Sequence, residues 1–277
     1  MTLCVVIRVH DRMQDLETLV NIIGRHWTLP VHRLVVSNGA AAGHRVPDSV
    51  RAQVEDLLEL EHNAGHIGGN AQLLQAALPR IPAHCPFTLL IEADTWLFSD
   101  RLLRTYIERL RTEEAVWASA LWQDRWRSLA LDLALVRSEV LRAHPGILDF
   151  RTHAECHVAN ALEDLGLRWL PLDELMPVHI PSLLRRFWNQ WGGRFRCFPE
   201  GPMVTHHAED LPGGFADKLR EANRCLGYEE FPVEGREDWQ TARRRILRTR
   251  TLARLIPRSG WLSRPRRRPG ARTPERT

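Results

Sequence analysis

The sequence predicts an α/β protein: a doubly wound, mostly parallel sheet with an α-rich C-terminal extension. Two observations predict it. Over the first half of the chain, apolar runs of strand length alternate with stretches of helical periodicity, the pattern of parallel strands joined by crossover helices. The apolar runs also end in polar loops, which in such a sheet gather at the carboxyl edge where ligands bind.

The elements follow in order. Leu3–Val9 is an unbroken apolar strand but for Arg8. Leu16, Leu19, Val20, Ile22 and Ile23 form one helical stripe over residues 16–26. Residues 33–37 predict a second strand, stopped by the turn signal Asn38-Gly39. A helix is expected over 50–58, a short alternating strand over 58–61, a helix over 70–78 and a strand over 87–91. A helix over 100–111 and strands over 116–121 and 129–136 come next. Ser138 predicts an N-cap for a further helix. Residues 157–165 have helical spacing and meet Gly166, a C-terminal stop, before a last strand over 167–172. Three regions result: a main domain over 1–181, an α-rich extension over 182–240 and a basic tail over 241–277, with no internal repeat.

Composition narrows the function classes. At 44% hydrophobic and 26% charged, the 277-residue chain has an ordinary globular composition. It has no apolar stretch near the ~20 residues a membrane span needs, and no secretory leader is expected at its start. The five cysteines, Cys4, Cys85, Cys156, Cys197 and Cys225, are widely spaced and form no Cys-x-x-Cys pair. That argues against a disulfide framework and a zinc site, and fits a cytoplasmic setting. The net charge of +4 is unevenly spread: the tail from Arg243 carries 13 arginines and one acid, while the body is acidic. All but one of the 38 basic residues are arginines, the exception being Lys218. No aromatic platform interleaves the tail arginines, so nucleic acid is not the expected partner.

Two stretches carry chemistry. Asn63-Ala64-Gly65-His66-Ile67-Gly68-Gly69-Asn70 reads as a loop opening a helix, where backbone N–H groups suit a diphosphate. Glu92-Ala93-Asp94 closes an apolar strand and puts two carboxylates at positions i and i+2, on one side of an extended chain. Such a pair suits Mg²⁺ or Mn²⁺, which binds through one or two carboxylates plus substrate phosphates. His10-Asp11-Arg12 and Ser37-Asn38-Gly39 fall on the same predicted edge.

In order and spacing, Val35-Val36-Ser37-Asn38-Gly39, Asn63-Ala64-Gly65…Gly69-Asn70 and Glu92-Ala93-Asp94 resemble the family 2 glycosyltransferases, inverting enzymes of the GT-A fold. The resemblance covers about residues 3–180. It implies a nucleotide-diphospho-sugar donor, with His10, Asp11, Arg12, Ser37, Asn38, Asn63, Gly69, Asn70, Glu92 and Ala93 as donor-binding positions. It implies a divalent metal at Asp94 and Glu92, with His179 as a third ligand and His206 and His207 competing for that place. Ala154-Glu155 stands where the family has Glu-Asp, which makes Glu155 the general base, with Asp149 as runner-up. Ser37 replaces the usual base-contacting Asp, and Glu92 the first Asp of the metal motif.

The expected activity is metal-dependent transfer of a sugar, with inversion, to a hydroxyl of a cell-surface glycan or lipid-linked acceptor. Competing readings are a sugar-phosphate nucleotidylyltransferase, disfavoured because His10-Asp11-Arg12 is not a Gly-rich loop, and a non-catalytic GT-A domain that binds glycan or membrane. Leu183, Leu184, Phe187, Trp188 and Trp191 recur at helical spacing beside arginines. This reads first as core packing and second as an interfacial helix. The basic tail predicts contact with an anionic membrane surface.

Overall fold

The structure, a computed structural model, describes residues 1–121, 127–172, 195–198, 201–204 and 214–226. His179, His206, His207, the aromatic stretch 183–191 and the arginine-rich tail lie outside the described residues.

The strands are β1 (Leu3–Val9), β2 (Val31–Ser37), β3 (Asp56–Glu59), β4 (Phe87–Glu92), β5 (Trp96–Leu97), β6 (Trp117–Leu121), β7 (Leu129–Arg137), β8 (Trp169–Pro171), β9 (Phe195–Phe198) and β10 (Gly201–Val204). The helices are α1 (Met13–His26), α2 (Asp48–Arg51), α3 (His66–Ala77), α4 (Arg101–Thr112), α5 (Ser138–Ala143), α6 (Ala154–Asp164) and α7 (Gly214–Leu226). Seven strands form one sheet in the order β3-β2-β1-β4-β7-β6-β8. All neighbours run parallel except at β7, which is antiparallel to both β4 and β6. The expected mostly parallel, doubly wound α/β sheet is what the chain forms.

Strand alternation sorts the core into two layers. Leu3, Val5, Ile7 and Val9 of β1 face the layer that holds Leu16, Leu19 and Ile23 of α1 and Leu103, Tyr106 and Ile107 of α4. Cys4 and Val6 face the other layer, with Leu73 and Leu74 of α3, Leu141 of α5 and Val158 and Leu162 of α6. Cys4, Cys85 and Cys156 are buried free thiols. Burial, with smaller contributions from Cys85 and Asp56, pushes the Cys4 thiol up to about 12, so it is chemically inert at neutral pH.

Three local expectations change. The helix expected over 50–58 is a single turn, Asp48–Arg51, and the edge strand begins at Asp56, two residues earlier than its alternation suggested. Pairing decides this: Leu34, Val35, Val36 and Ser37 each find a partner between Asp56 and Glu59, and Glu55 grips the Arg33 backbone N–H at 2.6 Å. Ser138 is not a cap, since Arg137 occupies the cap position; the Ser138 hydroxyl instead meets Thr88 Oγ1 at 2.8 Å. Helix α3 starts at His66 rather than Asn70, so Gly68, Gly69 and Asn70 lie inside it.

The described part of the region expected to be α-rich also contains a hairpin. β9 and β10 pair antiparallel, and β10 pairs with β5, directly after the Glu92-Ala93-Asp94 stretch. Among the described residues, no helix is long and apolar enough to cross a membrane.

Candidate active site

The carboxyl ends of β1, β2 and β4, the start of α3 and the start of α6 enclose a cleft of about 440 Å³. His10, Asp11, Arg12, Asn38, Asn63, Gly69, Asn70, Glu92, Ala93, Asp94 and Glu155 all line it. Four loops separated by up to eighty residues of sequence therefore converge, as the parallel topology requires.

Ser37 is the exception among the expected donor-binding residues. It is completely buried and outside the cleft lining. Alternation along β2 puts it on the Val35 side, where its hydroxyl accepts the Gly39 N–H at 3.3 Å and shapes the turn. The next residue, Asn38, reaches the cleft instead.

Asn38 organises one wall. Its side-chain N–H₂ donates to Asn63 Oδ1 and to the Gly69 carbonyl, both at 3.2 Å. His10 Nδ1 lies 3.1 Å from Asn38 Oδ1 and 3.3 Å from Asn63 Nδ2, so its tautomer sets whether it donates to Asn38 or accepts from Asn63. Gly69 has no room for a side chain: a Cβ there would sit 2.1 Å from Asn63 Oδ1. Gly65 opens α3 in the left-handed region, at φ 83°. The Gly69 N–H already bonds the Gly65 carbonyl, so the amides available to an anion are those of the first helical turn before it.

The floor belongs to Arg8, which sequence reasoning left as part of a buried strand. Its guanidinium is almost fully buried and donates to Asn70 Oδ1 and the Leu131 carbonyl. It also pairs with Glu92 at 3.3 Å. Burial pulls Arg8 below its ordinary value, while Glu92, Asp132, Asp94 and Glu155 hold its charge in place. The signal was present: a lone arginine in an apolar strand needs buried carboxylates around it.

Asn70, one of the expected donor-binding positions, bridges Arg8 and Glu92, donating to Glu92 Oε1 at 3.3 Å. Glu92 is thus held by two partners at the rim of the floor. Asp94 is buried and lines the cleft beyond the end of β4. Among the described residues, no three His, Cys, Asp or Glu side chains gather into a self-sufficient metal site. A Mg²⁺-type ion fits this arrangement only with substrate oxygens completing its shell, which is its usual mode beside phosphates.

Glu155 reaches the cleft from the first turn of α6. The residue before the helix, His153, adopts a left-handed conformation at φ 46°, which a non-glycine residue adopts only under constraint. Burial pushes the Glu155 carboxyl above the ordinary glutamate range, with Glu92 and Asp132 adding to the rise and its own backbone N–H and Arg8 opposing it. Asp149, the runner-up, is exposed and does not line the cleft.

No protein-family model matches the chain. No curated protein matches it either. Solved structures do. A mannosyltransferase from Pyrobaculum calidifontis, in complex with GDP-Man and Mn²⁺, is 16% identical with a TM-score of 0.47, covering 92% of this chain and 70% of its own. Residues 1–349 of S. aureus TarS, in complex with UDP-GlcNAc, are 13% identical with a TM-score of 0.45, over 57% of this chain and 53% of that one. The 4-diphosphocytidyl-2C-methyl-D-erythritol synthase of Anaerococcus prevotii is 10% identical with a TM-score of 0.43, over 61% and 86%. At such low identity, what the cleft can do rests on its own residues.

Proposed function

We propose that the protein is a metal-dependent inverting glycosyltransferase that moves a sugar from a nucleoside diphosphate to a hydroxyl of a cell-surface glycan or glycolipid. The observation that carries this reading is the placing of Glu155, a carboxyl with a raised pKa, in the same cleft as Asp94 and the start of α3.

The roles follow from the chemistry. The first turn of α3 and the Arg12 guanidinium offer positive potential to the diphosphate. Asn38, His10 and Asn63 offer donors and acceptors to the nucleoside. Asp94, with Glu92 behind it, would hold Mg²⁺ or Mn²⁺, which as a Lewis acid neutralises charge on a departing diphosphate. Glu155 takes the proton from the acceptor hydroxyl as that oxygen bonds to the anomeric carbon. The bond from that carbon to the diphosphate oxygen breaks on the opposite face, and the diphosphate leaves with the electron pair. Arg8 keeps the floor carboxylates from repelling one another and the incoming phosphates.

Thermal unfolding with nucleoside diphosphates and their sugars, with and without Mn²⁺, tests the reading. A ligand bound at 100 times its Kd stabilises the native state by about 2.7 kcal/mol. The expected result is a Mn²⁺-dependent rise in Tm with one nucleotide, removed by chelator and abolished in Asp94→Ala. No shift with any nucleotide at millimolar concentration would sink the reading. A shift confined to nucleoside triphosphates would turn it towards nucleotidyl transfer.

A further inference from the structure

Lys218 is the chain's sole lysine, and it is fully buried. It projects from α7 into a seat built by residues far away in sequence. Its ammonium pairs with Asp15 in the first turn of α1, donates to the backbone carbonyl of Asp94 at 2.6 Å and lies 4.1 Å from the centre of the Trp96 ring. Asp15 is itself buried, and its carbonyl accepts the Trp96 indole N–H at 3.2 Å. The Trp96 ring also meets Phe215 of α7 edge-on, at 5.8 Å between centroids. Trp96 and Leu97 pair with β10 on their other side.

The short segment from Asp94 to Leu97 lies beyond the end of β4 and is held from two sides: by α1, through the Asp15 carbonyl and the Trp27 indole on the Leu97 carbonyl at 2.9 Å, and by the C-terminal elements, through β10 and Lys218. A lone charge so deeply buried is costly unless it is paired and hydrogen-bonded. Here each partner is specific: a carboxylate, a carbonyl and an aromatic face. Arginine, used at every other basic position, is planar and bulkier, whereas an ammonium is a compact point donor that can serve one carbonyl and one carboxylate together.

We infer that Lys218 is a positioning residue for the donor site: it ties α7 to the Asp94 carbonyl and so sets where the Asp94 carboxylate points. The inference deepens the transferase reading and rests on it for its functional meaning, but the tie itself can be tested without any substrate. It has a reciprocal consequence. If docking of α7 fixes Asp94, a ligand held by Asp94 must in turn tighten the docking of α7.

Amide hydrogen exchange of the full chain tests this in the segment 93–97. The expected result for Lys218→Met is exchange in that segment faster by about tenfold or more, since a buried bond to a charged donor is lost, while β2 exchanges at its wild-type rate. In the wild type, Mn²⁺ with the nucleoside diphosphate found by thermal shift should slow exchange both in 93–97 and in α7. Should Lys218→Met not fold, Asp15→Asn, which keeps the lysine but removes its counter-charge, carries the same comparison. Unchanged exchange over 93–97 in the folded variant, or faster exchange spread equally over β2, would overturn the inference. Loose exchange in the variant with no nucleotide bound by the wild type would support the tie and reject the transferase reading.

Discussion

Arg8 and Glu155 show how single charges shape the cleft. The guanidinium is buried among Glu92, Asp132, Asp94 and Glu155, whose charges oppose the burial that pulls it below its ordinary value. At Glu155, burial, Glu92 and Asp132 together outweigh Arg8 and its own backbone N–H and push the carboxyl above its ordinary value. A general base needs such a shift, because proton transfer is most effective when the pKa approaches the working pH. Glu155→Gln should lower kcat by about 10²–10⁴. The wild-type kcat/KM profile should have an acid limb above the ordinary glutamate range. The same shift sets the sign of a stability effect. Between the ordinary and the raised pKa the folded state holds more protons than the unfolded state, so stability falls as pH rises through that window. Glu155→Gln should therefore have a higher Tm than the wild type at neutral pH. A variant that lost activity and also lost stability would speak for a structural role.

Elements are locked to one another by buried carboxylates as well as by apolar layers. Asp100, just before α4, accepts the backbone N–H groups of Thr28 and Leu29 at 2.8 and 2.7 Å, and so ties α4 to the α1–β2 connection. Burial works against this charge, but the two N–H groups and Arg104 prevail and hold the carboxyl below its ordinary value. Asp100→Ala should destabilise the protein by about 2–3 kcal/mol, since hydrogen bonds to a charged group are lost and two amides are left unpaired. Urea unfolding at neutral pH would measure it. The contribution is present above the ordinary aspartate range and is lost as pH falls through the lower folded-state value. The gap between wild type and variant should therefore close in acid. In the same way, the β5–β10 pairing and the Lys218 seat join the C-terminal elements to the stretch that follows β4.

For the whole molecule, the charge distribution matters more than the net value. The acidic body and the arginine-rich tail give one chain two electrostatic characters. We propose that the tail holds the protein at an anionic membrane surface, near a lipid-linked acceptor. Flotation with vesicles containing anionic lipid should recover the full chain, and a chain truncated after Gln240 should remain unbound. Attraction of this kind weakens with salt. Equal recovery of both chains would remove the tail from the account, and unchanged donor binding on truncation would separate anchoring from chemistry.

The sequence by itself determined most strands of the main sheet, most of the helical stripes and the loops that line the cleft; the β9–β10 hairpin and its partner β5 were not legible in it. Alternation of side chains and the turn chemistry of Asn38-Gly39 and Gly65 are local properties, and they act before any tertiary contact forms. Where local signals were weak, tertiary pairing decided. Edge strand β3 is half-exposed along its length and gives only one leucine to each core layer, Leu57 and Leu58, and its register came from β2. Ser37 and Asn38 are adjacent, yet only the twist and parity of β2 chose which of them meets the cleft. Which residues tie the site together could not be read, although a lone Arg8 in an apolar strand signalled that partners were needed. Arg8 finds its partners at Asn70, Glu92 and Leu131, and Lys218 finds Asp15 across 203 residues. Such bonds carry no periodicity. They exist because a buried charge must be paired, and only the folded chain decides with what.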